Sequence, residues 1–414
     1  YVYTDQIKSR KTKKRECFFD GQNYIGVRYI ISQLKNCEIT YVSSETINTV
    51  DFCLITITSY YDVLNIINEL YGKKIISKTI IGGSGLLNIE LLKDIADYAI
   101  IGRGEDIVQD IINGNFVDGI YYKDSNYFLR DKIKIQKLKK YIEIEDPIMG
   151  TYKELAIGCK KKCYFCEYSW KNEYLSKEDS YSSGVADRET IFNEIDFGIY
   201  VNKDLVSAID GATENTRKII NKDLSNDDIV SKLLTIDNHK RDYYSLKLYC
   251  LLGYPFEKDF EPNEMISNIE KIKNATKNRL NIVVVSPHFM PMPLTPMENE
   301  PVNQIDFRKK VGRLNLDNLK GNKVNMFWSQ MMCSSPTNAM EATVLNRAYD
   351  TSMVKKILCS AKYKGLDGES KQDVLNKFFG NLLGNYENVL PYIERAYNTE
   401  KAKERYNKLK MELL

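Results

Sequence analysis

A chain of 414 residues, 43% apolar and 28% charged, has enough material for two or three domains of about 100–200 residues and does not have the composition of a disordered or fibrous protein. Its formal charge of +3 is close to neutral for this size, so no whole-molecule field calls for nucleic acid or an anionic membrane as partner. No run reaches the ~18 apolar residues of a bilayer span and nothing resembles a signal peptide, so a cytoplasmic location is expected; residue 1 is Tyr rather than Met, which leaves the true N-terminus open.

The densest basic run, Lys8, Arg10, Lys11, Lys13, Lys14 and Arg15, would suit phosphates, but such runs near a terminus are more often simply solvated. Beyond it, Phe52–Thr58 reads as a strand and Val63–Tyr71 as an amphipathic helix. Thr79–Ile81 is a second strand entering Gly82-Gly83-Ser84-Gly85. The pattern repeats as a helical stretch over Ile89–Ile95, a strand over Tyr98–Ile101 entering Gly102-Arg103-Gly104-Glu105, and a helix over Ile107–Ile112. This is βαβ grammar, and an open parallel sheet over residues 1–125 is the economical reading.

Residues 126–150 show no sustained period and are read as a linker. From 151 to about 330 a second α/β unit is expected. Lys153–Ile157 is its first strand, later strands fall at Leu205–Ile209, Ser245–Leu252 and Leu280–Val285, and helices at Asp227–Leu234 and Asn263–Ala275 lie between them, in the manner of a (β/α) barrel. From about 331 to 414 the pattern turns helical, at Asn338–Tyr349, Asp373–Leu383 and Val389–Leu413, with no strong strand candidate between them.

The chemistry is concentrated in Gly158-Cys159-Lys160-Lys161-Lys162-Cys163-Tyr164-Phe165-Cys166. Nine cysteines in a reducing compartment point to metal binding, catalysis or packing rather than a disulfide framework. Three thiolates spaced C-x3-C-x2-C can reach three corners of one [4Fe-4S] cube and leave its fourth iron open to an amino acid chelating through amine and carboxylate. Zinc is the weaker alternative, since a closed tetrahedral site wants four ligands and the chain's two histidines, His239 and His288, lie far along the sequence.

The CKKKCYFC segment, with an aromatic residue, Phe165, directly before the last cysteine, resembles the signature of the radical S-adenosylmethionine superfamily. The resemblance implies Cys159, Cys163 and Cys166 as cluster ligands and S-adenosylmethionine on the open iron. It continues in Ile209-Asp210-Gly211-Ala212-Thr213-Glu214 with the helix through Arg217 to Ile220-Asn221-Lys222, where Thr213 and Glu214 are implied to face the cofactor. It extends to Leu248–Glu257, where Leu251 and Gly253 are implied to lie along the adenine. Ser286–Pro296, with its four prolines, and Ser335–Ile357 are similar to stretches of the cobalamin-binding subgroup. Gly82, Gly83, Ser84, Gly102, Gly104 and Glu105 are similar to its Rossmann-like, cobalamin-binding-like N-terminal domain, which makes cobalamin a candidate third cofactor.

The implied activity is reductive cleavage of S-adenosylmethionine, with cobalamin-dependent methyl transfer to an unactivated carbon as its finer form. The implied partner is an electron donor of flavodoxin or ferredoxin type. His288 is a candidate catalytic side chain in the proline-rich loop, and Cys250 a candidate hydrogen donor, although a buried thiol more often packs as a small hydrophobe. Two features depart from the pattern: no histidine occurs in residues 1–238 to ligate cobalt, and only 47 residues lie between Cys166 and Glu214, short for a full set of barrel units. Other readings are a radical enzyme without cobalamin, a methylthiotransferase with a second cluster on Cys17, Cys37 and Cys53, and a nucleic-acid-binding module with a structural cluster and the 8–15 basic run as its footprint.

Overall fold

A computed structural model of the chain describes residues 25–123, 132–137, 141–146, 150–153, 156–176, 204–231, 245–258, 261–275, 281–307, 324–327, 335–387 and 389–414. Cys17, His239 and the basic run from Lys8 to Arg15 lie outside them. The protein is mixed α/β and divides into two compact units, one of residues 1–154, 344–367 and 388–396, the other of 155–343, 368–387 and 397–414. No helix among the described residues is long and apolar enough to cross a membrane.

The first unit is built on strands Phe52–Thr56, Lys78–Gly82 and Tyr98–Ala99, parallel and in chain order, with Tyr121–Tyr122 antiparallel at the edge. Alternation in the first strand buries Cys53 and Ile55. The helix Tyr60–Leu70 starts where the Asp62 carboxylate accepts the Thr58 and Ser59 amides at 2.7 and 2.8 Å, and it buries Val63, Ile66, Ile67 and Leu70 at helical spacing.

The expected helix over Ile89–Ile95 is instead a pair of successive turns, closed by Leu92 N to Ile89 O at 2.8 Å and Ile95 N to Leu92 O at 2.9 Å. Its polar groups turn to tertiary partners. The Asn88 amide donates to Leu345 O and Ala348 O, and the Ile89 amide to the Tyr392 hydroxyl. Ile89, Leu91, Leu92 and Ile95 are all buried, so their spacing records enclosure on every side rather than one helical face, and seven residues repay a helix nucleus poorly.

The region after 335 is helical, at Pro336–Arg347, Thr351–Leu358, Ala361–Lys364, Gly368–Leu383 and Glu400–Leu413. The single helix expected over Val389–Leu413 is shorter than its apolar spacing implied. Pro391 disfavours helical backbone at Leu390, which sits at φ +47°, and Ile393–Glu394 pairs in parallel with Ile133–Lys134 before the helix begins at Glu400.

The second unit carries four strands, Asp204–Ala208, Ser245–Tyr249, Asn281–Val285 and Val324–Phe327, all parallel and adjacent in chain order. The first three fall where the sequence places them. The strand expected at Lys153–Ile157 does not join this sheet. Gly150–Lys153 pairs with Glu143–Asp146, and Ala156–Ile157 pairs antiparallel with Leu175–Ser176. Gly158 explains the second pairing: at φ +72° its backbone passes so close to the Glu173 carbonyl that a Cβ would stand 2.6 Å away, and the intervening residues become a loop closed by a two-residue stem.

Gly83 lies at φ +117° with its α-carbon against the Ile57 backbone, leaving no room for a methyl group. Gly83→Ala is therefore expected to destabilise the first unit by about 3 kcal/mol in urea unfolding. Gly26→Ala, at a helical position with open space around it, should change stability by less than about 1 kcal/mol.

Candidate functional site

Parallel strands deliver the residues that follow them to one edge of the sheet, where crevices between the connecting loops can receive ligands. In the second unit these residues are 209–214, 250–257 and 286–298, the three segments that the sequence singled out. The cysteine loop is seated among them. Tyr164 N donates to Ile220 O at 3.0 Å and Tyr164 O accepts from Met297 N at 3.3 Å. Beneath the loop, Tyr164, Trp170, Ile219, Ile220, Leu251, Tyr254, Phe256, Phe289, Met297 and Tyr406 form one buried cluster against which Phe165 packs.

Within the loop, the Trp170 indole donates to Cys163 O at 2.9 Å, and Cys166 leads into the short helix Glu167–Lys171. Cys159 and Cys163 are buried and Cys166 is half-buried; none of the seven described cysteines forms a disulfide. Burial pushes the Cys166 thiol up, with Asp210 and Glu167 adding to the rise and hydrogen bonds from Ser169 opposing it. Among the described residues no three His, Cys, Asp or Glu side chains are gathered as a site for a single metal ion.

Thr213 and Glu214 stand at the start of the helix Glu214–Ile219. The Thr213 hydroxyl accepts the Thr216 amide at 3.0 Å as an N-cap, and Glu214 accepts the Asn226 amide at 2.7 Å. Sequence reading gave no role to Asp210, Arg217, Lys222 and Glu257, which fix the geometry around them. Arg217, fully buried, donates to Leu224 O at 2.6 Å, to Gly211 O at 3.0 Å and to Ala212 O at 3.3 Å, and also reaches the Asn226 side chain. Burial lowers its pKa, and those acceptors compensate the lost hydration. Asp210, at φ +47°, pairs with Lys222 at 3.0 Å and accepts the Tyr254 hydroxyl on its backbone carbonyl at 2.8 Å. The Glu257 carboxylate accepts the amides of Gly253 and Tyr254. The signal for these four was their place inside the quoted motifs, but nothing in one sequence says which charges turn inward.

Leu251 belongs to the apolar cluster. Gly253, at φ +83°, faces the imidazole of His288 so closely that a methyl group would overlap the ring. His288 is itself buried, with Nε2 2.7 Å from Asn303 O. Cys250 is fully buried, with its thiol pushed up mainly by burial. The structure thus brings Gly253 and His288 into direct contact and places Cys250 inside the strand end.

The glycine-rich turns belong to the first unit. Gly83 and Gly102 are glycines because the chain's own backbone, at Ile57 and Gln136, crosses them. A Cβ at Gly82 would make ordinary contact with Ile100 at 3.7 Å, one at Gly104 would crowd the Ile100 side chain at 3.2 Å, Ser84 follows Gly83 in the turn, and Glu105 is ion-paired with Arg103 at 2.9 Å.

No family model matches the chain. It is similar to the uncharacterized protein MJ0966 of Methanocaldococcus jannaschii, with 24% identity over 292 residues covering 55% of this chain and 64% of the relative. The chain thus spans just under two thirds of the relative's length, and the relative's name carries no activity.

The contact between Gly253 and His288 predicts coupled substitutions. Gly253→Ala should destabilise the second unit by about 3 kcal/mol, and adding His288→Ala should recover part of that loss by vacating the overlapped space. Denaturant titrations of the two single variants and the double variant measure the coupling, and strict additivity would show that the ring does not set the constraint.

Proposed function

We propose that this chain is a radical S-adenosylmethionine enzyme. The observation that carries the reading is the seating of a three-cysteine loop at the carboxyl edge of parallel strands wound in chain order, beside the 209–222, 248–257 and 286–296 segments that resemble the superfamily. Strands added successively in one direction are the winding of a (β/α) barrel, and the four described strands fit a partial barrel of that kind.

The donor set fits the proposed cluster. A cube attaches each thiolate to a separate iron, so it asks for three thiols along one loop rather than three converging on a point. When bound, the cluster supplies an electron for cleavage of S-adenosylmethionine to methionine and a 5′-deoxyadenosyl radical that abstracts hydrogen from an unreactive carbon. The protein's own contribution is enclosure and orientation. Tyr164, Phe165, Tyr254 and Phe289 provide an apolar floor that excludes water, and Arg217, Glu257 and the Asp210–Lys222 pair hold the strand-end turns at fixed spacing. A flavodoxin- or ferredoxin-type donor is the proposed source of electrons.

Cobalamin-dependent methyl transfer is the finer form of the proposal. It rests on the order of the glycine-rich turns ahead of the cysteine loop; against it stand the intrachain reason for Gly83 and Gly102 and the absence of histidine before residue 239.

Anaerobic reconstitution is expected to give about four irons per chain, and incubation with S-adenosylmethionine and a reductant to give 5′-deoxyadenosine. Replacing any one of Cys159, Cys163 and Cys166 by Ala should lower that product at least about a hundredfold. Zinc in place of iron would overturn the proposal. About eight irons would favour methylthio transfer, salt-sensitive RNA binding without cleavage would favour a nucleic-acid module, and a corrinoid absorption band decides the cobalamin form.

A further inference from the structure

The cysteine loop is gripped from two sides by side chains outside the ligand set. Lys162, directly before Cys163, lies at φ +51°, a conformation that costs a residue with a Cβ about 1 kcal/mol. Its ammonium turns inward rather than to solvent. It donates to the carbonyls of Ser169 and, at 3.3 Å, Asn172, at the end of the helix Glu167–Lys171, where unpaired carbonyls attract a cation. It also lies 3.5 Å from the centre of the Tyr397 ring and 5.8 Å from that of Trp170. Tyr397 closes the arrangement by donating its hydroxyl to the same Asn172 carbonyl at 3.2 Å.

From the other side comes Asn221, just past the helix Glu214–Ile219. Its side-chain amide donates to Lys161 O at 2.9 Å and Lys162 O at 3.1 Å, the two carbonyls immediately before Cys163. Asn221 is also left-handed, at φ +61°. Asparagine tolerates that conformation and offers two side-chain N–H groups, a combination with few substitutes. Glycine accepts the backbone but brings no donor, and aspartate accepts it but turns acceptors toward two carbonyls.

We infer that Asn221 and Lys162 are positioning residues that staple the cysteine loop and hold its thiols in the arrangement from which they reach a single cluster. The inference rests on the cluster reading for its purpose, but the staple itself can be measured without metal. It assigns the asparagine of the Ile220-Asn221-Lys222 stretch to the loop, and this asparagine acts only through the cysteines.

The test uses the full chain and the variants Asn221→Gly, Asn221→Asp and Lys162→Met. After anaerobic reconstitution, iron content is expected to fall in the order wild type, Asn221→Gly, Asn221→Asp, with the last below half of wild type and its absorption bleaching faster in air. Far-UV circular dichroism should stay unchanged, a combination that loss of general stability would not produce. In the metal-free chain, native-state alkylation of Cys159 and Cys163, read by mass spectrometry, should be roughly tenfold faster in Asn221→Asp and Lys162→Met than in wild type. If Asn221→Asp does not fold, Asn221→Gly and Lys162→Met carry both readouts. Equal alkylation rates across all variants overturn the staple whether or not iron binds. Wild-type chain that takes up no iron but shows the alkylation difference keeps the staple and removes the cluster reading.

Discussion

The second unit depends on how the loop of residues 158–166 is seated on the strand ends. Two backbone hydrogen bonds at Tyr164, to Ile220 and from Met297, set the register of the loop, but the area around them supplies the energy. Aromatic side chains from the loop, from the turn after the second strand, from the proline-rich segment and from the last helix meet in one cluster, with Phe165 and Tyr254 edge-to-face at 6.2 Å and Tyr254 and Phe256 stacked at 5.4 Å. Large rings bury much surface with few rotatable bonds, so they can fix a loop at modest entropic cost. Thiols placed on such a loop are carried to the sheet edge by packing.

Polar groups below this layer act on the turns. Arg217 gathers the carbonyls of Gly211 and Ala212, Glu257 gathers two amides, and Lys222 neutralises Asp210. Arg217 and Glu257 take up backbone groups that a strand leaves unpaired once its ladder ends, a requirement that burial makes strict. The strand ends can therefore remain irregular, as ligand sites need, without exposing themselves to water.

Much of this was legible in the sequence where periodicity and punctuation agreed. The strands at 204–208, 245–249 and 281–285 and the helices Tyr60–Leu70 and Glu261–Ala275 follow from apolar runs bounded by turn residues. Ile89–Ile95 misleads because full enclosure and a helical stripe look alike over seven residues, and Val389–Leu413 misleads because its apolar spacing runs straight through Pro391. The three cysteines stand out by spacing alone. The inward turn of Lys162, in a run of three lysines that reads as solvated, is invisible without Tyr397, far along the chain. Gly83, Gly102 and Gly253 announce that something passes close by, but only the fold shows that it is Ile57, Gln136 and His288.

Tyr406 sits in the aromatic cluster at 6.1 Å from Tyr164, and its helix is tied down by Lys403 on the buried Glu298 and Lys410 on Glu300. The cysteine loop therefore rests on a floor supplied by a stretch that the ribosome makes long after the thiols themselves. A nascent chain exposes those thiols before their seat exists, and the seat is complete only once residues 397–414 have emerged and docked.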